Sequence, residues 1–343
     1  MTTVAAARPA ALPGVAELGV KFDWLVVAAS AWLGAGLYWD GWAHGYGLPD
    51  SFWTIWHAAF YSGFAACAAV ILGGVARNRA NAATWRAAIP AGYQWAVAGV
   101  FVFGVAGAFD MIWHTIFGIE LSTDALLSPS HLALGAGAAL IVSGPFVAAA
   151  RRGGGSGLLA QLPAVISLTF LFGTFTFFSL FAGPYSNVIG TGPRPNDATL
   201  VRALLGMYLF SALLVGCALV ALRRGTLPIG ALTVLLGLNA VAMILMRGHA
   251  PLDVQVTFML VAIVAGAIGD LLVWRLRPSD ARPLQLHIFA FVLPAAYLAI
   301  YLTVVVLRVG SGWTVHELTG MVTLCGVVGL LVSLVAVPRP ASR

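Results

Sequence analysis

Residues 93–117, YQWAVAGVFVFGVAGAFDMIWHTIF, decide how this chain is read. From Trp95 to Phe109 no side chain is polar, and the whole segment 93–117, at about 1.5 Å per residue, is longer than the ~30 Å hydrocarbon core of a bilayer. The segment is therefore expected to be a transmembrane helix. Near its end it carries Asp110 and His114. An Asp within a span costs roughly 2.5–3.5 kcal/mol on insertion scales, so such a residue marks a site by default.

Working outward, the same arrangement is written a second time. Asp40-Gly41-Trp42-Ala43-His44 closes an earlier apolar run, and His57 follows with twelve residues between. Asp110-Met111-Ile112-Trp113-His114 is followed by His131, in Ser128-Pro129-Ser130-His131, with sixteen between. Each copy joins an Asp and a His four apart, which share a helix face, to a His near the start of the next span. Both sets are expected at one depth below the same surface, as tandem repeats of like orientation.

The whole chain has the same character. It is 60% hydrophobic and only 9% charged over 343 residues, far below the roughly 25% charged residues of a soluble domain. Ten apolar spans are expected, at 23–46, 51–76, 93–117, 129–150, 160–182, 200–222, 228–246, 253–275, 284–307 and 314–337. The fold class is thus all-α integral membrane. Residues 1–22 and 338–343 form cytoplasmic tails around one transmembrane domain, 23–337. Within it, 23–150 carries the two site-bearing hairpins and 160–337 supplies supporting helices.

Orientation comes from the basic residues. Fourteen of the 18 Lys and Arg residues fall in the tails or in connections on one side, leaving Arg194, Arg202, Arg247 and Arg308 on the other. The positive-inside rule makes the rich side, and both termini, cytoplasmic. Asp40, Asp50, Asp110, Glu120, Asp124, Asp197, Asp253 and Glu317 then lie toward the outer face. The expected location is the plasma (inner) membrane, multi-pass, with the site facing outward. The net charge of +6 reports this topology. No loop interleaves basic and aromatic residues as a nucleic-acid surface does. The N-terminal stretch lacks the pattern of a removable signal peptide. Cys67, Cys217 and Cys325 stand singly in apolar spans and build no disulfide framework or CxxC site.

The two Asp-His-His sets suit a divalent metal. Three oxygen or nitrogen ligands leave coordination positions open, which distinguishes a reactive site from a closed structural one. Such donors accept copper, zinc or iron, with raw affinity favouring copper. The alternative is a pair of hydrogen-bonded clasps holding helices together. Around the sets, Trp42, Trp56 and Trp113 read as interface packing or as walls of a pocket. Glu120 and Asp124 lie between ligands of the second set and are candidates to orient a His. His249 and Asp253, beside Arg247, read as a loop salt bridge or as support for the site, and so do His316 and Glu317 at the start of the last span. His287 sits at the cytoplasmic end, and Asp270 is expected to pair with an Arg. The Phe-rich span 160–182 is either a wall for an apolar substrate or a packing surface. The connection 183–198, rich in Gly, Pro and Asn, has the length of a lid.

Asp-x-x-Trp-His followed by Ser-Pro-Ser-His resembles the metal-binding segment of the C subunit of copper membrane monooxygenases, the particulate methane and ammonia monooxygenases. The resemblance covers roughly residues 30–145. Asp40, His44 and His57 match that family's spacing; Asp110, Trp113, His114, Pro129, Ser130 and His131 match its local wording. The resemblance implies copper held by the six ligands and hydroxylation of an apolar small molecule with O2 near the outer face. It further implies an electron donor, a quinol or a redox protein, and partner subunits or a homo-oligomer. Both sets here begin with Asp, where the family's second set begins with Asn. Two other functions fit the same residues, a metal-handling protein (acceptor, sensor or transporter) and a metal-free scaffold subunit.

Overall fold

The structure is a computed structural model that describes residues 18–49, 51–120, 123–153, 157–185, 196–225 and 227–336. Most of both expected tails, the glycine turn at 154–156 and most of the expected lid lie outside the described residues. Thirteen helices follow in order: α1 (Gly19–Gly45), α2 (Ile55–Arg79), α3 (Trp85–Ala88), α4 (Gln94–Phe117), α5 (Asp124–Leu127), α6 (Pro129–Val142), α7 (Gly144–Arg152), α8 (Leu158–Phe178), α9 (Asp197–Arg223), α10 (Ala231–Arg247), α11 (Leu252–Leu276), α12 (Pro283–Arg308) and α13 (Val315–Ala336). Among the described residues there is no strand beyond one isolated bridge, Ser279 to Arg282.

Nine helical segments of the described chain are long and apolar enough to cross a membrane. Large apolar side chains such as Leu25, Val105 and Leu205 face outward along them, as lipid contact requires. The chain is a multi-pass, all-α membrane protein. The tenth segment expected from hydropathy, 228–246, is the 17-residue helix α10, shorter than the nine others and, at about 25 Å, at the lower end of what crosses a bilayer. Glycines in left-handed conformation cut it at both ends, Gly230 (φ 95°) and Gly248 (φ 54°).

The expected span 129–150 is one crossing made of two helices. Pro145 has no N–H, so it removes a rung of the helical ladder, and the chain breaks at Ser143 between α6 and α7. Ser167, fully buried on α8, repairs the break. Its hydroxyl donates to the Val142 carbonyl and accepts from the Phe146 N–H at 3.1 Å. A buried backbone group left bare in hydrocarbon costs several kcal/mol, so one serine fixes how α8 docks on the broken helix.

Two close helix crossings set up the site-bearing region. At α1–α2, a Cβ added to Gly36 would lie 2.5 Å from the Phe60 Cα, and one on Gly63 2.6 Å from the Leu33 Cα. At α4–α6, a Cβ on Gly137 would lie 2.7 Å from the Phe103 N. Without a hydrophobic drive between helices in lipid, such small-residue contacts are what let two helices pack tightly. The aromatic residues Phe60, Tyr61, Phe64 and Phe103 interlock between the two hairpins, with Phe64 stacked on Phe103 at 4.4 Å.

The opposite end of this region is held by a buried polar knot. Asp23 on α1 pairs with Arg152 of α7 and accepts a 2.7 Å hydrogen bond from the Tyr93 hydroxyl, just before α4. A second core, built around Phe172, Met207, Phe210 and Tyr297, joins α8, α9 and α10 to α12.

Candidate metal centre

Asp40 and His44 lie one turn apart near the C-terminal end of α1, and His57 lies in the first turn of α2. Asp40 Oδ1 is 3.1 Å from His57 Nε2 and 3.7 Å from His44 Nε2. The second set has the same form. Asp110 and His114 end α4, and His131 opens α6. Asp110 Oδ1 is 3.4 Å from His114 Nε2 and 3.2 Å from His131 Nε2. In each set the three ligand atoms lie within 4.8 Å of one another, and the described residues hold no other such group.

The far side of three rings is tied down, which fixes what the near side presents. His57 Nδ1 bonds the Ser51 carbonyl at 2.9 Å, and Thr54 Oγ1 lies 3.0 Å from the same nitrogen. His131 Nδ1 bonds the Ala125 carbonyl at 2.6 Å, and His114 Nδ1 the Gly118 carbonyl at 3.2 Å. A carbonyl oxygen only accepts, so each Nδ1 carries the proton. In the neutral ring Nε2 then offers its lone pair. In both sets that lone pair faces a carboxylate oxygen.

Two acceptors at 3.1–3.4 Å repel unless something positive lies between them. Neither Asp40 Oδ1 nor Asp110 Oδ1, both buried, receives a hydrogen bond from a described residue. The nitrogens and oxygens of each set thus converge on a place for positive charge, which a second proton on the ring supplies in a helix clasp and a metal ion supplies in a binding site. Donors held about 2.0–2.1 Å from a tetrahedral ion stand about 3.3–3.4 Å apart, in the middle of the observed oxygen–nitrogen separations. Fixing a ligating His through its other nitrogen is also the usual way a protein sets tautomer and ring orientation.

The local sequence explains how His131 reaches its place. Ser128 is the N-cap of α6, its hydroxyl accepting from the His131 N–H, and Pro129 occupies the first turn, where its missing N–H costs nothing. The Ser-Pro-Ser-His wording is thus a helix start that sets its third residue facing Asp110. The second set is the more enclosed. Asp110 and His114 side chains are each 7% exposed, against 19% and 24% for Asp40 and His44.

Both sets face one cavity of about 230 Å³, lined by Asp40, His44 and His57 on one side and Asp110 and His131 on the other. Phe177, Phe178 and Phe181, at and just beyond the end of α8, supply apolar wall. The Phe-rich span thus divides its roles, since Phe172 is core and Phe170 lines a separate apolar cavity of about 440 Å³.

Of the supporting residues expected from sequence, Glu120 reaches the site. Its Oε2 lies 3.0 Å from His114 Nδ1, and the carboxylate is buried. The described contacts of the others lie elsewhere. Trp113 packs on Phe109 and Phe117 of its own helix, Asp124 is exposed in the first turn of α5, and His249 stacks on Tyr46 at 4.4 Å. Asp253 pairs with Arg308 at 2.8 Å, not with Arg247. Glu317 caps the last helix by accepting from the Thr314 N–H at 2.6 Å, with His316 exposed beside it. Asp270 does not pair with an Arg. It accepts from the Leu232 and Thr233 N–H groups and so caps α10, whose own first residues carry no capping side chain.

Two residues join the site that the sequence reading passed over. Tyr61 lines the cavity and donates to Asp110 Oδ2 at 3.2 Å, so α2 contributes His57 to one set and a hydrogen bond to the other. Its position four residues after His57, on the same helix face, is the signal that would have found it. Arg247 also lines the cavity. No protein family, curated protein or solved structure matches this chain, so the geometry of the two sets carries the functional reading.

Proposed function

We propose that this chain is a copper-binding membrane protein that holds one ion in each Asp-His-His set and uses the shared cavity for oxidative chemistry on an apolar molecule. In this reading Asp40, His44 and His57 bind the first ion, and Asp110, His114 and His131 the second. The observation that carries it is the orientation of the rings: backbone carbonyls hold Nδ1 protonated, so Nε2 lone pairs face the oxygens of Asp40 and Asp110. Tyr61 and Glu120 would steady Asp110 and His114. Zinc or iron satisfies the same donors; copper is favoured by its affinity for imidazole-rich sites and by the resemblance to the C subunit of copper membrane monooxygenases.

Reduced copper would supply the binding and activation of O2, chemistry that no side chain here provides. The protein's part is to place the ligands, to keep the cavity dry with Phe177, Phe178 and Phe181, and to admit a substrate from the bilayer. The electron donor would be a quinol or a redox protein, and other subunits or further copies of the chain would complete the assembly. The bias of basic residues supports cytoplasmic termini, the plasma (inner) membrane and a site toward the outer face, with the two hairpins as tandem repeats. Translocation of metal fits less well. In the opposite half of the bundle the carboxylates of Asp23 and Asp270 are occupied by Arg152 and Tyr93 and by the cap of α10, and the described residues hold no further Asp-His-His group there.

Elemental analysis of detergent-purified chain tests the reading. Wild type should carry two copper ions, His44→Ala and His114→Ala one each, and the double variant none. Zinc alone would point to a structural or hydrolytic centre. Metal-free wild type after growth in copper would leave only a pair of clasps between helices and end the proposal.

A further inference from the structure

Arg247 ends α10, and its side chain lines the cavity that both Asp-His-His sets face. Its Nε is buried and has no hydrogen-bond partner among the described residues. Asp253, a nearby acid in sequence, is taken by Arg308. No described carboxylate pairs with Arg247, although Asp40 and Asp110 line the same cavity.

Packing keeps the arginine there. At Gly41, between Asp40 and His44, a Cβ would lie 2.7 Å from the Met246 Sδ and 2.8 Å from the Phe177 ring. Glycine therefore lets the end of α10 press against the ligand-bearing turn of α1. Arg247, next in the chain after Met246, is held beside the first set instead of extending freely to the membrane surface.

A buried guanidinium N–H without a partner is costly, and an ionisable side chain facing the interior of a membrane protein marks a site by default. Its planar fork matches a carboxylate in two-point contact. Facing it across a small cavity are apolar side chains, Leu126, Leu134, Phe178 and Phe181 among them. With divalent ions in both sets, Asp40, Asp110 and Glu120 leave a surplus of positive charge to which Arg247 adds, and an entering anion would offset it.

We propose that the cavity binds a short organic acid, its carboxylate on Arg247 and its hydrocarbon tail against the phenylalanine wall. The charge surplus rests on the metal reading of the site; the unpaired arginine and the apolar wall do not.

The test is calorimetric titration of the detergent-purified full-length chain with hexanoate and with 1-hexanol, corrected against protein-free micelles. Metal-loaded and chelator-treated samples are compared. Wild type is expected to prefer hexanoate by roughly ten- to a hundred-fold, the scale of a charge-assisted pair. Arg247→Gln should abolish the preference while leaving the unfolding temperature and metal content near wild type, and Arg247→Lys should keep part of it. Equal binding of acid and alcohol by wild type, or a preference that survives in Arg247→Gln, overturns the proposal. So does native mass spectrometry in which phosphatidylglycerol, and not hexanoate, depends on Arg247, since the arginine would then serve a lipid headgroup. An arginine-dependent preference in protein that never binds metal would keep the acid site and remove the metal reading. Two bound metals without any preference would do the reverse.

Discussion

A single methyl group placed one helical turn from the nearest ligand should dismantle one of the two metal sets and leave the other. In Gly36→Ala the new Cβ would sit 2.5 Å from the Phe60 Cα, 2.6 Å from the Phe60 N and 2.9 Å from the Ala59 carbonyl carbon. All three are backbone atoms, so no side chain can swing aside, and α1 and α2 must part by about 1 Å to restore ordinary contact. Asp40 stands one turn beyond Gly36, and His57 one turn before Phe60, so the same displacement acts on their 3.1 Å separation. Opening it to about 4 Å spreads the donors beyond what one ion with ~2 Å bonds can span comfortably. The overpacking itself should cost about 1–3 kcal/mol. Gly34→Ala is the control, since a Cβ there meets nothing within 4 Å, and alanine in a helix is favoured by roughly 0.5–1 kcal/mol. Thermal unfolding in detergent together with metal per chain reads both effects. Gly36→Ala should melt lower and carry one ion, while Gly34→Ala should match wild type in metal and melt no lower. A Gly36→Ala protein with wild-type stability and both ions would refute the link between the helix crossing and the first set.

Three further outcomes follow from contacts elsewhere. Ser167→Ala should destabilise the fold by about 1–3 kcal/mol, because the Phe146 N–H and Val142 carbonyl lose their shared partner; Ser167→Thr, which keeps the hydroxyl, should recover part of this in the same unfolding assay. Asp270→Ala strips the cap from α10 and should cost about 1–2 kcal/mol, with faster amide exchange confined to the first turn of that helix. Tyr61→Phe removes the hydrogen bond to Asp110 Oδ2 and should weaken the second metal by roughly ten- to a hundred-fold. Chelator competition should show the first site unchanged.

Much of this protein is determined along the chain. Whether a segment enters the membrane depends on summed side-chain hydrophobicity, and α4 follows the apolar run before Asp110 almost residue for residue. The six residues of the two Asp-His-His sets were legible for a related reason. Asp and His four apart must share a helix face, and an alternating path through the membrane returns the next helix start to the same end of the bundle. The shortness of α10 was readable too, from Gly230 and Gly248 on either side of it.

Which polar group meets which is fixed only once the helices are assembled. Asp253 with Arg308, Asp270 with the start of α10, Asp23 with Arg152, and Tyr61 with Asp110 are separated by 55, 38, 129 and 49 positions in turn. Each depends on how far two helices rotate and slide against one another. Those movements are set by where glycines permit backbone contact, as at Gly36 and Gly41, and by where a broken ladder demands a donor, as at Ser143. Local pattern specifies the face a side chain occupies, but the neighbour it finds there is specified by packing, and Arg247 shows the difference: a loop cation along the sequence, an unpaired charge in the cavity once the helices are assembled.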